Sequence, residues 1–145
     1  MSVIPFDERE GTIWFDGAMV PWKDAKLHVL SHGLHYASAV FEGERAYDGV
    51  IFKSREHSER FRRSAELLDF EIPYTVGELD AAKALCVEKN VGGDLYVRPI
   101  AWRGSEMMAV AAASSTVHVA IGVWPWPSMF DIETKMHGIR LDFAE

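Results

Sequence analysis

Two short stretches of this chain set an arginine beside an aromatic residue: Phe41-Glu42-Gly43-Glu44-Arg45 and Tyr96-Val97-Arg98-Pro99. In an extended strand alternate side chains share a face. Phe41, Gly43 and Arg45 therefore fall on one side of the first stretch, and Tyr96 and Arg98 on one side of the second. A guanidinium is a planar fork that matches a carboxylate bidentately, and a glycine lets a ligand approach the backbone closely. These residues suit the recognition of a partly apolar molecule that carries a carboxylate. A third stretch, Ser31-His32-Gly33-Leu34-His35-Tyr36, gives His32 and His35 the spacing of paired metal ligands. No third ligand of suitable type lies close in sequence, so hydrogen-bonded structural histidines are the simpler reading and no metal is expected. Phosphate loops, His-Glu-x-x-His and Gly-x-Ser-x-Gly are all missing, which removes the commonest enzyme classes.

The elements that must position these residues follow from local patterning. Asp16-Gly17 between Thr12–Phe15 and Ala18–Val20 is a strong hairpin signal, and Asp48-Gly49 between the Ala39–Tyr47 stretch and Val50–Phe52 repeats it. Phe61, Ala65 and Leu68 recur at helical spacing among charged residues, which predicts an amphipathic helix from Arg55 onward. Thr75 and Glu78 form a capping box for a second helix, with Tyr74 and Leu79 as its staple and Leu79, Ala82 and Cys86 on its buried face. Gly92-Gly93 should end that helix. Asp94 to Trp102 reads as a strand whose Pro99 marks an edge or a bulge. After a small-residue loop from Met107 to Ser115, Thr116 to Val123 reads as a buried strand, and Trp124-Pro125-Trp126-Pro127 should break away from it. Ile139 to Phe143 reads as the start of another strand. The expected fold class is α+β, an antiparallel sheet with two main helices.

Bulk properties set limits on partners. The 145 residues, 48% hydrophobic, fit one domain with a real core, and a net charge of -7 gives no footprint for nucleic acid or an anionic membrane surface. The single cysteine, Cys86, excludes an internal disulfide. With neither a leader pattern nor a membrane-length apolar run, a cytoplasmic protein is expected.

In order along the chain, Ser31 to Tyr36, Val40-Phe41-Glu42-Gly43-x-Arg45, Arg55-Glu56-His57-x-x-Arg60 and Tyr96-x-Arg98-Pro99 resemble the branched-chain amino-acid aminotransferases. These are fold-type IV pyridoxal-phosphate enzymes, and the resemblance runs from about Ile13 to the Trp124-Pro125-Trp126 turn. It implies that Arg60 binds the cofactor's phosphate, that Phe41, Gly43 and Arg45 surround the side-chain pocket, and that Tyr96 and Arg98 serve carboxylate recognition. It implies a homo-oligomer in which Tyr36 and Val110 reach a neighbouring subunit's site. It divides the chain into a small domain at 1–123, a linker at 124–137 and the start of a large domain at 138–145. The resemblance places the catalytic lysine of the family beyond Glu145; none of Lys23, Lys26, Lys53, Lys83, Lys89 and Lys135 sits in the expected context, and each reads as a solvated surface residue. The chain alone should then be inactive. Met129 and Phe130 stand where many members carry a pocket tyrosine. Other fold-type IV enzymes, acting on D-amino acids, amines or aminodeoxychorismate, are the alternative within the superfamily, and a non-catalytic folding or interaction module is the alternative outside it.

Overall fold

The computed structural model describes residues 4–90, 92–126 and 130–143. Its centre is a seven-stranded antiparallel sheet. Strands β1 (Thr12–Phe15) and β2 (Ala18–Pro21) form the first expected hairpin, with Asp16 and Gly17 both at positive φ in the turn. A short helix α1 (His32–Tyr36) leads into β3 (Ala39–Phe41), β4 (Glu44–Tyr47) and β5 (Val50–Ile51), and the Asp48-Gly49 turn joins the last two. Helices α2 (Ser54–Glu66) and α3 (Val76–Lys89) follow. The long strands β6 (Leu95–Arg103) and β7 (Val117–Pro125) close the sheet, and a terminal helix α4 (Ile132–His137) comes last. The strand order is β2-β1-β7-β6-β4-β5, with β3 also on β6.

α2 and α3 cover one face of this sheet. Alternation sends Leu95, Val97 and Ala101 of β6 and Val119, Ile121 and Val123 of β7 toward Phe61, Ala65, Leu79, Ala82 and Cys86, forming the core. The capping box at Thr75 is present, Glu78 accepting from the Thr75 backbone and hydroxyl while its own N–H donates back to the threonine oxygen. The other face carries Phe15, Phe41, Tyr96, Arg98, Trp102, His118 and Trp124; α1 lies against its Trp102 end and Phe6 packs on Trp124 at 5.2 Å, but among the described residues no long helix crosses it.

Several expectations are corrected. Pro99 lies in β6, a central strand bonded to β3, β4 and β7, and not at an edge. β3 and β4 keep one register across the gap at Glu42-Gly43, with Phe41 opposite Ile100 and Glu44 opposite Val97. The Glu42 amide still donates to the Pro99 carbonyl at 3.0 Å, but proline has no N–H to return, so pairing lapses there. Leu68 lies past the end of α2 and is 43% exposed. α3 ends at Lys89, before the Gly pair, with Asn90 as its cap. β7 does not break at Trp124; it stays paired through Pro125, opposite Leu95. Pro127 and Met129 lie outside the described residues. Residues 138–143 form no strand with any of the described residues, and Leu141 and Phe143 are 83% and 97% exposed. Lys83, expected at the surface, is 1% exposed.

Candidate functional site

The odd-numbered side chains of the Phe41–Arg45 stretch meet the even-numbered ones of β6 on the uncovered face. Arg98 lies over the Phe41 ring at 4.1 Å and donates through Nη2 to the Tyr96 hydroxyl at 2.9 Å. In the rows across the sheet, Arg98 stands opposite Gly122 of β7, and the continuous register sets Gly43 opposite it on the other side. Neither neighbour has a side chain; the Tyr96 hydroxyl takes the space beside Gly43, and the Trp124 ring borders that beside Gly122. A Cβ built on Gly43 would collide with the Tyr96 hydroxyl. The glycine therefore admits Tyr96, where the sequence suggested it admits a ligand. Arg45 stands opposite Tyr96, lies 5.4 Å over the Tyr47 ring, donates to the Trp126 carbonyl at 3.2 Å and is 3.7 Å from Asp94. Trp124 and Trp126 pack on the Tyr96 ring at 5.0 and 4.8 Å. Arg45 Nε, Arg98 Nε and Trp124 Nε1 are all buried donors with no acceptor among the described residues. Buried donors left unpaired are costly.

The even-numbered side chains of the same stretch face the helices. Glu42, 5% exposed, accepts from Arg60 Nε and Nη2 at 2.6 Å each and pairs with His57 Nδ1 at 2.8 Å. His57 and Arg60 are one helical turn apart on α2, so both reach a single carboxylate. Burial pushes the Glu42 carboxyl up, but the hydrogen bonds from Arg60 and His57 outweigh it and hold the group below its ordinary range. Glu44, two residues on, is 1% exposed and accepts from Lys83 at 3.0 and 3.1 Å. Lys83 also donates to the Ser54 carbonyl at 2.8 Å and lies 3.3 Å from Asp80, which in turn accepts from Ser54 and Ser58. Burial dominates at Glu44 and raises its carboxyl despite Lys83.

Arg60 is thus apart from Tyr96 and Arg98, on the helix side of the strand and not on the open face. Its side chain is 64% exposed, and Nη1 has no acceptor among the described residues. A phosphate would fit this corner: the guanidinium is anchored by Glu42 and still offers an unengaged N–H pair. Tyr36 and Val110 lie in a third place. Tyr36 stacks on His32 at 4.5 Å, and Val110, 85% exposed, follows Ala109, whose carbonyl is 2.9 Å from His32 Nε2. His32 Nδ1 meets Ser38 Oγ at 2.6 Å, so both ring nitrogens are engaged within the fold, as the structural reading of this histidine requires. Among the described residues no group of three acidic, His or Cys side chains is placed to hold a metal.

Sequence reasoning missed Glu42 and Glu44. The signal was present: alternation sends both away from Arg45, and two buried carboxylates demand cations from the covering helices.

The fold and these motifs define a class. Residues 39–142 match the model of the amino-transferase class IV family, and the chain belongs to that family. It is similar to the branched-chain-amino-acid aminotransferase of Pseudomonas aeruginosa, at 40% identity over 138 residues that cover 92% of this chain and 45% of that enzyme. The Escherichia coli K12 branched-chain-amino-acid aminotransferase is 39% identical over 132 residues, 88% of this chain and 43% of that protein. A crystal structure of the E. coli branched-chain amino acid aminotransferase superposes with a TM-score of 0.80 at 37% identity, covering 87% of this chain and 43% of that one. A T.th. branched-chain amino acid aminotransferase, solved with pyridoxamine 5'-phosphate, gives a TM-score of 0.74 at 38% identity over 81% of this chain and 41% of that one. The chain spans less than half the length of these relatives.

Proposed function

We propose that this chain is the substrate-facing small domain of a pyridoxal-phosphate aminotransferase that converts leucine, isoleucine or valine with 2-oxoglutarate into the branched 2-oxo acid and glutamate. The observation that carries the reading is the Arg98 guanidinium, lying 4.1 Å over the Phe41 ring and bonded to the Tyr96 hydroxyl at 2.9 Å, with Arg45 opposite Tyr96 on the same sheet face. Apolar rings suit a branched side chain, while an arginine among them suits the second carboxylate of glutamate. A single face can then take both substrates in turn.

In this reading Arg60 holds the phosphate of the cofactor and Glu42 positions Arg60. When bound, the cofactor supplies the electron sink for moving an amino group. Arg98 receives a substrate carboxylate, Tyr96 orients Arg98 through its hydroxyl, and Phe41 with the tryptophans excludes water. Tyr36 and Val110 form an edge for a neighbouring subunit of a homo-oligomer. The small domain takes in residues 1–123, 124–137 is the linker, and the large domain begins at 138. The family resemblance puts the covalent lysine in the part of the relatives that this chain does not span; of the lysines present, Lys83 is paired with Glu44, and Lys23, Lys53 and Lys89 with Glu10, Glu56 and Glu88. No helix among the described residues is long and apolar enough to cross a membrane. Cys86 forms no disulfide and burial raises its thiol to about 11, which fits an unreactive cysteine in a reducing cytoplasm.

The test is to incubate the chain with pyridoxal phosphate, reduce with borohydride and measure intact mass. The expected result is no stoichiometric adduct and no transamination of leucine. A single fully modified lysine would overturn the assigned inactivity. For the parent enzyme, loss of leucine and glutamate turnover in Arg98→Leu supports the substrate assignment, and unchanged turnover overturns it.

A further inference from the structure

On the open face, at the far end of β7 from Trp124, His118 joins two carboxylates that come from different parts of the chain. Nδ1 lies 2.6 Å from Asp16 Oδ2, in the turn of the first hairpin, and Nε2 lies 3.3 Å from Glu106 Oε1, in the 104–116 loop. A neutral imidazole has one N–H and one lone pair, so it can donate to only one of them; the imidazolium donates to both. The ring stacks on Trp102 at 5.6 Å and lies beside Phe15 at 6.4 Å, which fixes its plane.

The two carboxylates in turn hold backbone. Asp16 Oδ1 accepts from the Val119 amide at 2.7 Å, and Glu106 Oε2 accepts from the Thr116 amide at 3.0 Å. Glu106 thus ties one stem of the loop to the other, beside the Gly104 amide's bond to the Thr116 carbonyl at 2.8 Å. Gly104 makes the arrangement possible, because a Cβ there would lie 2.6 Å from His118 Nε2 and 2.7 Å from Glu106 Oε2. From the same loop, Ala109 reaches His32, on which Tyr36 stacks, and Val110 projects into solvent.

We propose that His118 is a positioning residue, an imidazolium latch that joins Asp16 to Glu106 and so holds the 104–116 loop with Val110 at the edge where a neighbouring active site is completed. The last clause rests on the role proposed for Val110; the latch itself does not. Among the described residues, the charged groups facing the ring are Asp16 from the hairpin turn and Glu106 from the loop, while β1 and β6 contribute the Phe15 and Trp102 rings. Burial disfavours the charged ring, but hydrogen bonds to Asp16 and Glu106, then their charges, outweigh it and raise the imidazole above its usual 6.5. Glu106 is held below its ordinary 4.5, its burial outweighed by backbone and His118 hydrogen bonds. A raised histidine contributes stability that is complete below 6.5 and lost as pH rises through its folded value. A lowered carboxylate contributes above 4.5 and is lost as pH falls through its own. The latch is therefore closed below 6.5 and opens as pH rises through the raised His118 value.

The experiment follows the 145-residue chain by NMR, reading His118 ring titration and amide-exchange protection at Thr116 as functions of pH. Expected is a His118 midpoint above 6.5, with Thr116 protection falling at least about tenfold across the same transition. His118→Gln should lower that protection below pH 6.5 and abolish the step. Gly104→Ala keeps every titrating group and should bring the His118 midpoint back toward 6.5. Thr116 protection with no step at the His118 midpoint, or a His118 midpoint unmoved in Gly104→Ala, would overturn the latch. Neither readout needs substrate, so failure of the aminotransferase assignment leaves the latch result standing, and the converse also holds.

Discussion

The strand from Val40 to Tyr47 has two sides that treat charge in opposite ways. Toward the helices, Glu42 and Glu44 are buried and their oxygens are taken by Arg60, His57 and Lys83. Toward the open face, Arg45 and Arg98 keep buried donors that nothing in the described fold accepts. A charge satisfied inside the fold holds elements together, whereas the open-face arginines complete no buried ion pair in the described fold; in the proposed reading they meet a ligand. Residue type alone does not separate the two, since arginine occurs on both sides. The strand face does: from Val40 to Tyr47 the even positions face the helices and the odd ones the open face, while in β6 the even positions face the open side.

Removing a partner from the buried pair should have the largest effect. Lys83→Met leaves the Glu44 carboxylate without its cation and should cost about 3–5 kcal/mol in urea unfolding. The loss should shrink on acidification as Glu44 takes a proton. Glu44→Leu combined with Lys83→Met should recover most of it, because a packed apolar pair avoids both desolvation costs. A double variant as weak as the single one would mean that the surrounding Ser54–Ser58–Asp80 hydrogen bonds, and not the pair, set the stability.

Gly43→Ala comes next. Its methyl displaces Tyr96 from the open face, at a cost of about 1–3 kcal/mol by thermal unfolding, and breaks the Tyr96–Arg98 hydrogen bond while leaving the helix side intact. Glu42→Gln should cost less than Lys83→Met, because Arg60 stands largely in water. Its signature is pH dependence. Glu42 contributes stability above its ordinary 4.5 that disappears as pH falls through its lowered folded value, so the variant should be weaker at neutrality but flatter across the acid limb. An acid limb as steep as that of the unsubstituted protein would assign the transition to another carboxylate.

Much of this is legible in the sequence, and the gaps have physical causes. Both hairpins are visible because Asp-Gly turns need positive φ, and Asp16, Gly17, Asp48 and Gly49 all adopt it. The capping box at Thr75 follows from local hydrogen bonding and needs no tertiary information. The open-face grouping of Phe41, Tyr96 and Arg98 follows from alternation once the strands are correct. Pro99 escapes the rule against central-strand proline because that rule assumes unbroken neighbours on both sides, and here β3 and β4 lapse opposite it. Lys83 defies its residue type, since lysine is seldom buried, although it lies between Leu79 and Cys86 on the inward face of α3. Its partner Glu44 lies far away in sequence, and such pairs leave no local pattern. The His118 latch is hidden for the same reason, its two carboxylates lying on separate loops.

Arg98→Leu should have the smallest effect on stability, within about 0.5–1 kcal/mol, since its guanidinium completes no buried ion pair in the described fold. It is the right variant for the central claim. Amide and ring NMR shifts of the chain would be followed on titration with 4-methylvaleric acid, the compound complexed in a solved structure of a similar T.th. branched-chain amino acid aminotransferase. The expected result is a set of shifts confined to Phe41, Gly43, Tyr96, Arg98 and Gly122, lost in Arg98→Leu and retained in Lys83→Arg. Shifts centred on α2 and α3, or a titration unchanged by Arg98→Leu, would contradict the open face as the carboxylate site.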